Sequence, residues 1–220
     1  MNIFILDKDP RKAARMHCDK HVVKMILEGA QMLSTAHRIL DGKEVIEKRY
    51  VNGSMPARYR NVKTWKLPDD RDELLYKATH SNHPCNIWCR ETSENYQWLW
   101  QLTYALCDEY YLRYGKHKAV PTHHKIADSG ILDALALSPN NIAKAKRTPF
   151  ALAMPDVYKH EDPVMAYQNY YLFAKANLLS YTHRQEPKWV TVKREHDRIL
   201  LEEYPHIAKR LQGPSVSQLA

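Results

Sequence analysis

The segment from Asp9 to Leu40 restricts this 220-residue chain more than any other. Asp9-Pro10 is a helix start, because the aspartate can accept from first-turn amides and a proline at the first helical position gives up no hydrogen bond. Helical spacing then continues to Leu40, interrupted near Cys18-Asp19, and Gly42 supplies a stop. At roughly 100° per residue, His17, His21, Lys24, Glu28, Gln31 and Thr35 fall within an arc of about 80°. Most of the remaining circumference is apolar: Val22, Val23, Met25, Ile26, Leu27, Ala30, Met32, Leu33 and Ala36. A helix with so narrow a polar stripe must be covered on most sides. The stripe itself needs partners or a cleft, since unpaired buried polar groups are costly.

The covering elements read as further helices. An apolar arm at residues 2–6 precedes the first helix, and a long helix is expected from Pro84 to Tyr114, ended by Gly115. A short helix is expected within 129–145. Asp162-Pro163 repeats the cap-plus-proline start of a helix to about Tyr181, and a last amphipathic helix covers roughly 193–211. Residues 43–78 read as a basic, loop-rich excursion around Pro56 and Pro68. Residues 116–128 and 147–159 read as loops, and 213–220 as a frayed tail. With only 6 glycines, a barrel or sandwich of many tight turns is disfavoured. The expected fold is a single all-α domain over residues 1–220.

No stretch reaches the ~18 apolar residues of a membrane span. The start lacks a signal-peptide core, so a cytoplasmic protein with reduced Cys18, Cys85, Cys89 and Cys107 is expected. Lys plus Arg is 33 against 25 Asp plus Glu, a formal net charge of +8, with 12 His, 14 Tyr and 5 Trp. Positive charge interleaved with amphipathic rings suits nucleic acid, and DNA is the expected partner. There is no Gly-rich phosphate loop, no G-x-S-x-G and no H-E-x-x-H, which excludes P-loop hydrolysis and the common serine and zinc hydrolase motifs.

Three groups of residues carry possible chemistry. On the stripe, Glu28 suits a general acid or base, Lys24 an amine nucleophile or phosphate ligand, and His21 a phosphate contact or proton shuttle. A routine Lys24–Glu28 pair on a solvated face is the plain alternative. Second, His80 and His83 flank the start of the long helix and, with Arg90, suggest an anion site; simple capping explains the same pattern. On that helix Trp88 and Trp98 suit stacking, and Asn95 base reading, or all three are core. Third, Arg147, Lys175 and Arg184 suit backbone contacts, and Tyr170 and Tyr171 base stacking. His80, His83, Cys85 and Cys89 are conceivable zinc ligands, but no familiar module has this spacing, and no metal or cofactor is expected.

The run Asp7-x-Asp9-Pro10 through Cys18-Asp19-Lys20-His21-Val22-Val23-Lys24-Met25, with Glu28 and Gln31, resembles a family of tailed-phage proteins. So do Thr79-His80-x-Asn82-His83-Pro84-x3-Trp88, Asn95-Tyr96-x-Trp98-Leu99, and Pro149-x4-Met154-Pro155-Asp156 with Ala166-Tyr167 and Tyr170-Tyr171. More distantly the pattern is similar to pyrimidine dimer DNA glycosylases of the endonuclease V type, small all-helical phage enzymes that excise a lesion through an imine. Asp19-Lys20-His21 followed by Glu28 resembles their Asp-x-His and catalytic glutamate, and Tyr167 to Lys175 their Tyr/Lys-rich DNA contact. Two departures stand. Those enzymes use the α-amine of a processed N-terminus, whereas Met1 precedes a bulky Asn2; and Leu27 occupies the place of an arginine before the glutamate. The resemblance implies a glycosylase acting on a pyrimidine in DNA. The amine would come from Met1 or Lys24, or Glu28 would activate water. The alternatives are a transferase in thymine hypermodification, and a non-catalytic DNA-binding or host-interaction protein.

Overall fold

A computed structural model describes residues 1–50, 58–115, 126 and 129–203. The elements are α1 (Pro10–Met16), α2 (Asp19–Asp41), β1 (Lys43–Tyr50), β2 (Tyr59–Lys66), α3 (Arg71–Leu74), α4 (Pro84–Glu91), α5 (Ser93–Tyr114), α6 (Ile131–Ala134), α7 (Pro163–Asn169) and α8 (Lys188–Glu203). Predicted features at 51–57, including Pro56, at 116–125 and 127–128, and beyond residue 203 lie outside the described residues.

Local chemistry explains the helix ends. The Asp9 carboxylate accepts from the amides of Arg11 and Lys12 at 2.8 and 3.1 Å, and Asp162 accepts from Val164 at 2.8 Å. The expected interruption falls at His17 and Cys18, both extended, so α1 and α2 are separate helices. The expected helix over 84–114 is also two. Thr92 is extended and its hydroxyl accepts from the Asn95 amide at 3.1 Å, capping α5 where α4 stops. Gly115, at φ +72°, ends α5 in a conformation that other residues resist. The helix from Pro163 is shorter than expected, because from Tyr170 to Ala174 the chain winds as a wider π turn.

The fold is predominantly helical but not all-α. Residues 43–50 and 59–66 pair as antiparallel strands where loop was expected, with Lys43 opposite Lys66 and Tyr50 opposite Tyr59. Val45-Ile46 and Val62, Thr64 and Trp65 are the β-formers behind this pairing. The charged residues between them hid the pattern.

The centre of the core is α2, packed on α4 and α5, with α1 also on α5. Residues Ile3 to Leu6 lie buried in that core, not as the expected extended arm but with a tight turn in which the Leu6 amide donates to the Phe4 carbonyl at 2.9 Å. At Gly29 the helices pack tightly: a Cβ there would collide with the Thr103 side chain on α5. At the other end of α2, Arg38 is completely buried. Its guanidinium donates to the carbonyls of Tyr76, Trp65, Asp72 and Leu75 and pairs with the Asp72 carboxylate. It ties the base of the hairpin and the 72–76 turn to the core. No helix among the described residues is long and apolar enough to cross a membrane.

Candidate active site

Three stripe residues and the N-terminal arm build one cleft. Residues 21, 24 and 28 fall on one face of α2, and the buried arm brings Met1 alongside. Glu28 is held between two amines, with one oxygen 3.7 Å from the Met1 α-amine and the other 3.3 Å from Lys24 Nζ. The Met1 side chain is almost fully covered, whereas Lys24 is two-thirds exposed. Met1, Phe4, His21, Tyr170 and Lys175 join Lys24 and Glu28 around a cavity of about 150 Å³.

His21 is fixed on two sides. Phe4 lies flat against its ring at 4.4 Å, and its Nδ1 is 2.5 Å from the Tyr171 hydroxyl. Burial, then the charges of His17, Lys175 and Lys24, hold its pKa down at about 3, so the imidazole is neutral near pH 7. Burial likewise keeps Tyr171 a neutral phenol. The contact is a neutral phenol–imidazole bond that orients the ring. Phe4 has φ +34°, a strained backbone for a non-glycine residue, kept by the rings around it. The π turn lets successive tyrosines serve different walls. Tyr171 goes inward to His21, while Tyr170 faces the cleft with Lys175 Nζ 5.0 Å over its ring.

The turn before α4 abuts this cleft. Burial lowers the pKa of His83, the Met1 amine and His80 lower it further, and Glu28 opposes them. Asn86 on α4 donates to the carbonyls of Thr79 and His80 at 2.9 and 3.0 Å and touches the Met1 thioether at 3.5 Å. His83 accepts from the Cys85 amide, so its Nδ1 is a cap. His80, at φ +48°, is tied to the Thr79 hydroxyl.

Other sequence candidates are committed elsewhere. Arg90 donates to the Ser81 carbonyl at 2.8 Å and braces this turn. Asn95 is buried, donating to the Trp88 carbonyl and the Thr148 hydroxyl and accepting from the Thr148 amide. Trp88 and Trp98 are buried against Phe150, and the Trp98 indole N–H donates to the Lys8 carbonyl. Those three residues are core, with no face open to a base. Arg184 makes a two-pronged pair with Glu109 at 2.6 and 2.9 Å, beside the buried Arg113–Asp19 pair. Arg147 is exposed and lies over Phe150, away from the cleft-lining set. His17 and Thr35, read as part of the stripe, are core: His17 is fully buried and Thr35 bonds the Gln31 carbonyl. No group of three His, Cys, Asp or Glu suited to a metal ion occurs among the described residues, and Cys85 and Cys89 are buried thiols. Phe4 and Asn86 were not singled out from sequence. Phe4 lies in the apolar arm ahead of the Asp9-Pro10 cap, which was the available signal.

The buried imidazoles make stability pH-dependent. Burial is the main cause holding His17 and His37 down at about 4 and His21 at about 3. The unfolded chain protonates these rings below about pH 6.5, while the folded chain does not. The unfolded state then binds more protons, so stability falls as pH drops from about 6.5 towards 4. Three protons correspond to a slope of up to about 4 kcal/mol per pH unit. Urea midpoints measured from pH 7 to 4.5 should show this decline, and a flat profile from 7 to 5 would contradict it.

No protein-family description, curated protein or solved structure matches the chain.

Proposed function

We propose that this protein is a DNA glycosylase that removes a pyrimidine base through an imine, working in the cytoplasm on an exposed or damaged base. The observation that carries this reading is the α-amine of Met1 paired with Glu28 in a cleft also lined by His21, Lys24, Tyr170 and Lys175. Glu28 takes a proton from the Met1 ammonium, and the freed lone pair attacks C1′ of the deoxyribose; the glycosidic bond breaks, and its electron pair leaves with the base, which takes the proton shed by the attacking nitrogen. Glu28 then gives its proton to the ring oxygen as the sugar opens to the protonated imine, and water hydrolyses the imine to the ammonium and an aldehyde. His21 and Lys175 offer a neutral donor or acceptor and a cation to the departing base and the flanking phosphate. Tyr170 is the ring placed to stack on the base.

The test is borohydride reduction during incubation with an oligonucleotide carrying an ultraviolet pyrimidine dimer, alongside photoreversal of the dimer and mass spectrometry of the bases then released. The expected result is a covalent adduct mapping to the Met1 peptide. An adduct on Lys24 reassigns the amine. Base release without an adduct points to water activated by Glu28. Nucleosides that gain mass without base loss replace the glycosylase with the transferase. Binding without chemistry makes the protein a DNA-binding one.

A further inference from the structure

The hairpin bears a charge arrangement that weakens it as an isolated structure. Directly opposed residues share a face, so Lys43 and Lys66, and further out Arg49 and Arg60, stand as like-charged pairs on one side. Glu47 is the one carboxylate on that face, and it serves both Arg49 at 3.2 Å and Lys66 at 3.5 Å. Four cations against one anion leave the face at +3. Among the described residues Lys43 and Arg60 pair with no carboxylate. Opposed like charges destabilise a strand pair, and an external polyanion would relieve them.

The other face is of a different kind. Tyr59 is 67 % exposed and its ring meets Tyr50 edge to face at 5.8 Å. Lys63 lies over the half-buried Trp65 ring at 5.7 Å and pairs with Glu44 on the same face at 2.8 Å, while Lys48 stands between Ile46 and Tyr50 along the strand. The exposed Tyr50 and Tyr59 next to Lys48, beside a cationic face, suit a strand that offers phosphates on one side and unstacked bases on the other. A rigid duplex keeps its bases stacked and offers little to the rings.

We propose that the β1–β2 hairpin is a binding arm for a DNA strand with unpaired bases, Arg49 and Arg60 taking phosphates and Tyr59 a base. This rests on the proposed DNA reading for the choice of DNA over other polyanions, and it concerns a surface separate from the cleft.

The experiment measures binding of the full chain to single-stranded oligo-dT, to a matched duplex and to heparin, across a salt series. Wild type should favour the single strand over the duplex. Tyr59→Ala should weaken oligo-dT binding about 5- to 150-fold and leave heparin binding unchanged. Replacing Arg49 and Arg60 by Gln should lower the single-strand salt slope by about 1.4. These changes remove repulsion or an exposed ring, so folding is preserved, as the circular dichroism spectrum will check. Wild-type behaviour of both variants on oligo-dT overturns the arm, as does an equal loss on heparin after Tyr59→Ala. If borohydride traps an adduct while the hairpin variants bind normally, the arm alone falls. If no adduct forms on any DNA but oligo-dT binding depends on the hairpin, the glycosylase alone falls. If wild type binds no DNA, both fall.

Discussion

Glu28→Gln is expected to slow base release by about 10²–10⁴-fold, the range over which a positioned acid or base contributes. The amide keeps the shape of the carboxylate but can neither deliver nor remove a proton, and it no longer pairs with the Met1 amine and Lys24. Unfolding should change little, since Lys24 is two-thirds exposed, Met1 and Glu28 are only partly covered, and solvent-reached pairs contribute about 0.2–1 kcal/mol each. The measurement is single-turnover base release with thermal unfolding in parallel. A normal rate in Glu28→Gln would remove the carboxylate from the mechanism. Lys24→Met supplies the contrast. Trapping should persist in it if Met1 supplies the amine, and vanish if Lys24 does.

The second large effect concerns stability. Arg38→Met is expected to cost about 3–5 kcal/mol, as removal of one partner of a buried ion pair usually does. Methionine fills much of the space but restores none of the bonds to the carbonyls of Trp65, Asp72, Leu75 and Tyr76. The Asp72 carboxylate, which also accepts from the Leu67 amide at 2.9 Å, is left without its principal cation. At about 2–4 °C per kcal/mol for a chain of this size, the melting temperature should fall by about 6–20 °C. A loss under about 1 kcal/mol in urea denaturation would show that water replaces the guanidinium freely.

What the sequence disclosed follows the range of the interaction involved. Asp9-Pro10 and Asp162-Pro163 act within one turn, and both cap helices where expected. The grouping of His21, Lys24 and Glu28 depends on helical periodicity, and it holds because α2 is regular there. Asn95 looked like a base reader because its partner Thr148 lies 53 residues away. Arg184 looked like a phosphate ligand because Glu109 is 75 residues away. Tyr171 was grouped with Tyr170 as a stacking ring, yet the π turn separates their roles, and nothing in the local pattern signals that winding. The hairpin was missed for another reason. Its β-branched and aromatic residues are diluted by lysine, arginine and glutamate, so the period-two pattern is weak.

The close crossing at Gly29 has a mechanical consequence. With the Thr103 side chain filling the space where any larger residue would sit, α2 cannot slide or roll against α5 without a collision one residue from Glu28. Under the proposed glycosylase reading, a cavity of about 150 Å³ has to widen to admit a nucleotide, and we expect the wall carried by the wide-wound turn Tyr170–Ala174 to yield rather than the α2–α5 contact beside Glu28.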